Sequence, residues 1–377
     1  MLKHHLMTPG PTEVPEQIAL AMAQPILHHR SQAFEALYAE VREGLKWLCG
    51  TAEEVLVFTC SGTGVMEGAV VNFFRAGDVA LVLDYGKFGE RWTQILSSFG
   101  IEVIVQRGEW GEAADPALVA KALDDHPEIR GVFLQACESS TGVAHPVKEI
   151  AAVTREREDV LTVVDAVSAL GTQDLPFDAW GIDLLVSASQ KALMLPPGLG
   201  FGVASSKAWR RNEQANLPRY YFDWKREREL IRKNQTSFTP AVSLMLGLRE
   251  VIRMLRGEGK EKIFERHDRM ARAVRAAMLA LGLSLFAKSP ANALTTVISP
   301  VDSDKLVKVL RDRYGITLIG GQDQAKGKIF RIAHLGWFDD SDVVVVVAAV
   351  ERALADLGHP VKLGTGVGAA LEVFAAK

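Results

Sequence analysis

One lysine of this chain stands where its ammonium would lose water. Lys191 closes Ser187-Ala188-Ser189-Gln190-Lys191, which extends a mostly apolar run from Ile182 to Val186, and Pro196-Pro197-Gly198-Leu199-Gly200 follows it. Desolvation disfavours the charged form and lowers a lysine's pKa toward neutrality. A neutral amine attacks carbonyl carbon, so the setting suits a Schiff-base lysine. Alone, the segment reads more simply as a surface lysine after a strand. A second element changes the odds. Leu161-Thr162-Val163-Val164 reads as a buried strand, with Asp165 at its C-terminal edge. Ligands of open α/β sheets gather at the carboxyl ends of strands. A carboxylate there can pair with a protonated ring nitrogen, which is what a pyridoxal phosphate (PLP) ring needs. Its bland alternative is a helix-capping aspartate.

Four further segments carry chemistry-bearing side chains. Thr59-Cys60-Ser61-Gly62-Thr63-Gly64 follows a strand and opens a helix, and its N–H groups and hydroxyls suit an anion. Gly68 comes one residue too late for a dinucleotide fingerprint, and no Gly-Lys-Ser/Thr ending makes a P-loop. Phe88, in Gly86-Lys87-Phe88-Gly89, could stack on a flat ring or lie in the core. Glu138-Ser139-Ser140-Thr141-Gly142 offers hydroxyls at a strand end, or a capped turn. Arg331 interrupts the apolar run Phe330 to Ile332, where a charge requires a partner. A substrate carboxylate fits its guanidinium fork, and a structural ion pair is the alternative. There is no nucleophile elbow, and Ser187 and Lys191 are one residue too far apart for an S-x-x-K pair.

The elements that would position these groups alternate. Strands at Val55–Thr59, Val79–Leu83, Ile101–Val105 and Gly131–Gln135 interleave with helices at Met66–Phe74, Glu90–Phe99, Pro116–Leu123 and Val147–Arg155. Strands ending at Asp165 and Val186, then Gly200–Ala204, complete the series, preceded by helices at Glu16–Ala23 and Phe34–Leu48. Apolar strands alternating with helices predict a mostly parallel sheet covered on both faces. Beyond Pro240, long helices at Leu244–Leu255 and Phe264–Leu281 precede Leu294–Ile298, Leu306–Leu310, Ile316–Ile319 and Ile329–Ile332, a smaller α+β region. Val343 to Leu357 reads as a helix, and Gly364 to Gly368 as a loosening before a short last one. The expected division is an N-terminal arm over 1–18, a large domain over 19–256 and a small domain over 257–377.

Formal net charge is −3, so nothing favours nucleic acid or an acidic membrane surface, and the Arg226-Glu227-Arg228-Glu229 run reads as a solvated face. The cysteines Cys49, Cys60 and Cys137 lack metal spacing, no metal is expected, and a reduced, cytoplasmic setting follows. No apolar run approaches the roughly 20 residues of a membrane helix.

Taken in order, Thr8-Pro9-Gly10-Pro11, His28-His29-Arg30-Ser31, Ser61-Gly62-Thr63-Gly64, Glu138-Ser139-Ser140-Thr141-Gly142-Val143, Val164-Asp165-Ala166-Val167-Ser168, Ser189-Gln190-Lys191-Ala192 and Phe330-Arg331-Ile332 resemble the class V aminotransferases. The likeness is to the alanine–glyoxylate, serine–glyoxylate and serine–pyruvate group, and it spans almost the whole chain. It implies a fold type I PLP enzyme: a mostly parallel seven-stranded sheet flanked by helices, a smaller C-terminal α+β domain, and a homodimer with a shared active site. By resemblance, Lys191 would form the Schiff base and move the proton. Asp165, with Val167 beside it, would pair with the pyridinium. Ser61, Gly62, Thr63 and Gln190 would hold the phosphate, and Ser139 would lie near the ring hydroxyl. Phe88 would stack on the ring, where the best-known relatives place tryptophan. Arg331, with Pro9 and Gly10, would meet the substrate. Gln235 and Thr239, within Asn234 to Pro240, would reach the neighbouring subunit's phosphate, although Phe238 stands where the animal pattern has threonine.

The expected reaction moves an amino group from alanine or serine to glyoxylate or pyruvate. A 2-aminoethylphosphonate–pyruvate aminotransferase would need more cations than Arg331. A desulfurase-type lyase would need a cysteine in the C-terminal region, and all three lie before residue 140. A non-enzymatic partner subunit, a label some relatives carry as hydrogenase small subunits, sits poorly with an intact Lys191, Asp165 and Arg331.

Overall fold

The computed structural model describes residues 2–376. Its central sheet has seven strands. They are β1 (Val55–Phe58), β2 (Val79–Asp84), β3 (Glu102–Arg107), β4 (Ile129–Gln135), β5 (Leu161–Asp165), β6 (Leu184–Ala188) and β7 (Gly200–Ala204). Their spatial order is β1-β7-β6-β5-β4-β2-β3. From β6 to β3 all neighbours are parallel, while β7 runs antiparallel to both β1 and β6. Strands β5 to β7 are buried along their whole length. That is why they read as unbroken apolar runs instead of alternating ones. The order also makes β5 and β6 neighbours, with Asp165 in register with Val186. Asp165 and the segment carrying Lys191 therefore leave the same edge of the sheet.

Two of the helix starts that differ from the sequence reading bear on the site. The helix after β1 spans Gly62–Phe73, not Met66–Phe74, and the one after β2 spans Lys87–Ser98, not Glu90–Phe99. Glycines at the start of each suggested a turn. Ser61 caps the first by accepting from Gly64 N–H, and a buried carboxylate from a distant loop holds the second. Such partners for the unpaired first N–H groups offset the poor helix propensity of glycine.

Beyond Gly259, Lys260–Ala280 begins a second packed region around an antiparallel four-stranded sheet. In order across that sheet lie Ser284–Leu285, Leu294–Ile298, Ile329–Ala333 and Ile319–Gly320. Phe330, Val346, Val350 and Met270 share its core with Met7 from the chain's start. The stretch Ile316–Ile319, read as one strand, serves two sheets. Ile316–Thr317 pairs in parallel with His5–Leu6, and Ile319–Gly320 pairs beside Arg331. The run Arg226 to Glu229 lies on helix Trp224–Ile231, but it is not fully solvated: Glu227 is buried and accepts from Ser237 N–H at 2.9 Å. No helix among the described residues is long and apolar enough to cross a membrane.

The chain's end also departs from expectation. Gly364 to Gly368 does not loosen the chain; Gly364, at φ +87°, caps helix Thr365–Ala375. The reason is Glu351, buried on helix Asp340–Asp356. Its carboxylate accepts from Gly364 N–H and Gly366 N–H at 2.6 Å each and from Val367 N–H at 3.1 Å. An anion there satisfies orphan donors and meets the positive end of the helix dipole. Glu351→Ala should cost about 2–4 kcal/mol, because charge-assisted bonds are lost and buried donors are left unpaired. The urea midpoint of the variant measures this, and an unchanged midpoint would contradict the assignment.

Candidate active site

A cavity of about 200 Å³ opens at the carboxyl edge of the central sheet. Ser61, Gly62, Thr63, Phe88, Ser139, Asp165, Val167, Gln190 and Lys191 all line it. These residues come from five separate segments, which the strand order brings together.

Lys191 is held by the turn around it. Ser189 N–H donates to Leu199 O at 3.0 Å, its hydroxyl donates to Pro196 O at 2.8 Å, and the same hydroxyl accepts from Leu199 N–H at 3.2 Å. One serine thus closes the Pro196-Pro197-Gly198 turn and leaves Lys191 only 8% exposed. Burial lowers the Lys191 pKa to about 8, against the opposing pull of Asp165. Asp165, also buried, is pushed up to about 6 by desolvation, despite a 2.8 Å hydrogen bond from Val167 N–H to its Oδ1. Desolvation outweighs mutual attraction at both groups. Lys191 Nζ donates to Pro9 O. Gly10 sits at φ +121°, and a Cβ there would stand 2.5 Å from Nζ, so glycine lets the arm lie against the lysine.

At one end of the cavity, Ser61, Gly62 and Thr63 form the N-terminus of helix Gly62–Phe73. Its first N–H groups lack intrahelical acceptors and face an anion favourably. The Gln190 side-chain oxygen is buried with no hydrogen-bond partner among the described residues. Arg331 is not among the residues that line the cavity; it is 3% exposed on strand Ile329–Ala333 and reaches the cavity wall through Ser139. Its Nη1 donates to Ser139 O at 2.9 Å, and its Nε and Nη2 donate to Gly320 O at 3.2 and 2.9 Å. Its partners here are carbonyl oxygens, not a carboxylate. Burial lowers its pKa to about 10, a loss that Glu138 partly offsets.

Glu138 is the residue whose part the sequence reading missed. It is fully buried. Oε2 accepts from Phe88 N–H at 3.0 Å and Gly89 N–H at 3.2 Å; Oε1 accepts from Ser140 N–H at 3.0 Å and its hydroxyl at 2.5 Å. One carboxylate therefore fixes the helix that carries Phe88 and the loop that carries Ser139. Gly86 permits this approach, since a Cβ there would meet the Glu138 Cδ at 2.5 Å. The signal was present as a lone acid at a buried strand end. Met66, Arg91, Cys137 and Ser168 also line the cavity. Arg91 follows Phe88 by one helical turn, visible only once the helix starts at Lys87.

Gln235 and Thr239 are not brought to the cavity. Gln235 Nε2 donates to Glu35 at 3.1 Å, and Thr239 lies with Thr59, Tyr221 and Phe238 around a separate, smaller hollow.

Comparison with known proteins gives a consistent picture. The family model for aminotransferase class V matches residues 8–335. A soluble hydrogenase 42 kDa subunit from Anabaena cylindrica is 43% identical over 98% of each chain. A serine–glyoxylate aminotransferase from Methylorubrum extorquens is 35% identical over 98% of this chain and 95% of its own. The crystal structure of ureidoglycine–glyoxylate aminotransferase from Bacillus subtilis superposes with a TM-score of 0.92 at 28% identity, covering 99% of this chain and 98% of that one. On the family match and its near-complete coverage, this chain belongs to the class V aminotransferases, enzymes of fold type I that work with pyridoxal phosphate.

Proposed function

We propose that this aminotransferase moves the amino group of a small amino acid, alanine or serine, to a small 2-oxo acid, glyoxylate or pyruvate. The observation that carries this reading is Arg331. A buried guanidinium held only by carbonyl oxygens, beside Ser139 in the cavity wall, keeps its charge available for a carboxylate. Glyoxylate also stands in the names of two of the relatives.

The residues present fit PLP. Asp165 suits a protonated ring nitrogen, Phe88 a ring face, and the unpaired N–H groups of the Ser61–Thr63 helix start a phosphate. The cofactor, when bound, supplies an electron sink for the carbon that loses its proton. Lys191 would be the covalent anchor, and its lowered pKa leaves far more of the amine neutral near physiological pH than an ordinary lysine has. When not bonded to the cofactor, its Nζ would be the base that takes the proton from the substrate Cα. Asp165 stays ionised against the ring cation, which reverses the effect of burial on its own pKa. Arg331 grips the α-carboxylate through its fork. The chain arm over 1–18 covers Lys191 through Pro9 and Gly10. We assign 19–256 to the cofactor-binding domain and 257–377 to the domain that carries Arg331.

Neither a lyase nor a bare partner subunit is favoured. The cysteines are free; burial pushes Cys60 up to about 12 and Cys137 higher, so neither is a ready thiolate. Free cysteines also support a cytoplasmic setting. The Gln235–Pro240 segment, held by Glu227 and away from its own cavity, supports a homodimer in which it faces the neighbour's site. Sedimentation as a fully active monomer would contradict that.

Substrate choice is read from single half-reactions. Holoenzyme mixed with alanine or serine should lose the cofactor's aldehyde-form absorbance fast, and glyoxylate or pyruvate should restore it. A fast response only to long or acidic amino acids would overturn the proposal. Two substitutions separate the roles. Asp165→Asn should keep cofactor and fold but slow turnover by several orders of magnitude; near-normal turnover would remove Asp165 from the chemistry. Arg331→Lys should raise KM for amino and oxo acids about tenfold or more, since lysine lacks the planar fork. A lowered Tm with unchanged KM would instead mark Arg331 as structural.

A further inference from the structure

We propose that Arg91 is the cationic ligand of the cofactor's 5′-phosphate, completing the anion site begun by the helix at Ser61. The inference rests on the reading that PLP lies in this cavity with its phosphate at Ser61, Gly62 and Thr63. A phosphate monoester carries about −1.5 to −2 charges at neutral pH. A helix N-terminus offers the equivalent of roughly +0.5. Ser61, Thr63 and Gln190 are neutral, so they leave most of that charge to be met by water or by a cation. The cations lining the cavity are Lys191 and Arg91. Lys191 is committed to the aldehyde carbon, leaving Arg91.

Its geometry matches the task. Arg91 Nη1 lies 3.4 Å from the Thr63 hydroxyl, at the start of helix Gly62–Phe73. Its Cζ sits 4.7 Å from the centroid of the Phe88 ring, so the guanidinium is flanked by the aromatic that faces the cavity. No carboxylate shares these contacts. The backbone beneath is fixed, because Glu138 holds Phe88 N–H and Gly89 N–H at the start of the same helix. Arg331 does not line the cavity; it donates to Ser139, which does, and to Gly320. The two guanidiniums thus divide the work: one for the substrate's α-carboxylate, one for the cofactor's phosphate. A rival for Arg91 is a carboxylate on the substrate's side chain, and contact with the helix start at Thr63 favours the phosphate.

The test compares PLP with pyridoxal, which has the same ring and aldehyde but no phosphate. Apoprotein is titrated with each, and binding is followed by cofactor absorbance. Arg91→Gln should weaken PLP by about ten- to a hundredfold, the loss of a charge-assisted hydrogen bond, and leave pyridoxal within about twofold. Added salt should weaken PLP binding to the wild type more than to the variant. Equal PLP affinity in both proteins, or equal weakening of both ligands, overturns the assignment. So does unchanged PLP affinity with a raised KM for acidic amino acids. Arg91→Met, a strong helix former with a similar stem, reads the same ratio if Arg91→Gln does not fold. If wild-type protein binds neither ligand, the reading of the cavity itself fails; if it binds PLP and the variants match it, only Arg91 is wrongly assigned.

Discussion

An ammonium and a carboxylate withheld from water at adjacent strand ends govern this structure. Taking Lys191 from its ordinary 10.5 to about 8 corresponds to roughly 3 kcal/mol of preference for the neutral amine. Of the influences on this lysine, desolvation is the largest and the Asp165 charge, which opposes it, comes next. Burial therefore decides the state of this lysine, and the attraction of Asp165 only moderates it. The rest of the fold can be read as what keeps that pair dry and aligned. Adjacent, parallel β5 and β6 set Asp165 and the Lys191 segment side by side. Ser189 ties the loop beyond, and the arm at Pro9 and Gly10 covers the amine. Each of these contacts is worth little alone; together they exclude the solvent that would return the lysine to its usual pKa.

The same logic explains how the cavity tolerates so many polar groups. Its charged members are separated. Arg331 is solvated by carbonyls of Ser139 and Gly320, Glu138 by four protein donors, and Asp165 in part by Val167 N–H. A buried charge without such partners would neutralise or unfold its surroundings. Glu138 has a further consequence. By joining the start of helix Lys87–Ser98 to the loop of Ser139 and Ser140, it couples the aromatic side of the cavity to the wall on which Arg331 rests. Phe88 and Arg331 are thereby tied into one hydrogen-bonded network.

Much of this was legible in the residues. Unbroken apolar runs gave away β4 to β6, because both of their faces are covered, and Asp165 and Lys191 stood out as polar groups at the ends of such runs. What stayed hidden depended on partners distant in sequence. The glycines at Gly62 and at Gly364 suggest loose turns, and only the caps supplied by Ser61 and Glu351 make them helix starts. Arg91 could not be placed while its helix was read as beginning at Glu90. Glu138 looked like one member of a hydroxyl-rich turn, and Glu227 like part of a solvated charge run, because burial of an acid becomes visible only when its donors arrive from other segments. The split of Ile316 to Ile319 between two sheets has the same origin: its partner, His5–Leu6, lies at the far end of the chain.

The central claim is that burial makes Lys191 the reactive amine of this cavity. Reductive trapping of PLP with borohydride across a pH series, followed by peptide mapping, tests it directly. A single modified residue is predicted, Lys191, with the extent of trapping rising as the amine deprotonates and reaching half its maximum near pH 8. Label on any other lysine, or no trapping until the pH nears the ordinary lysine value, would contradict it.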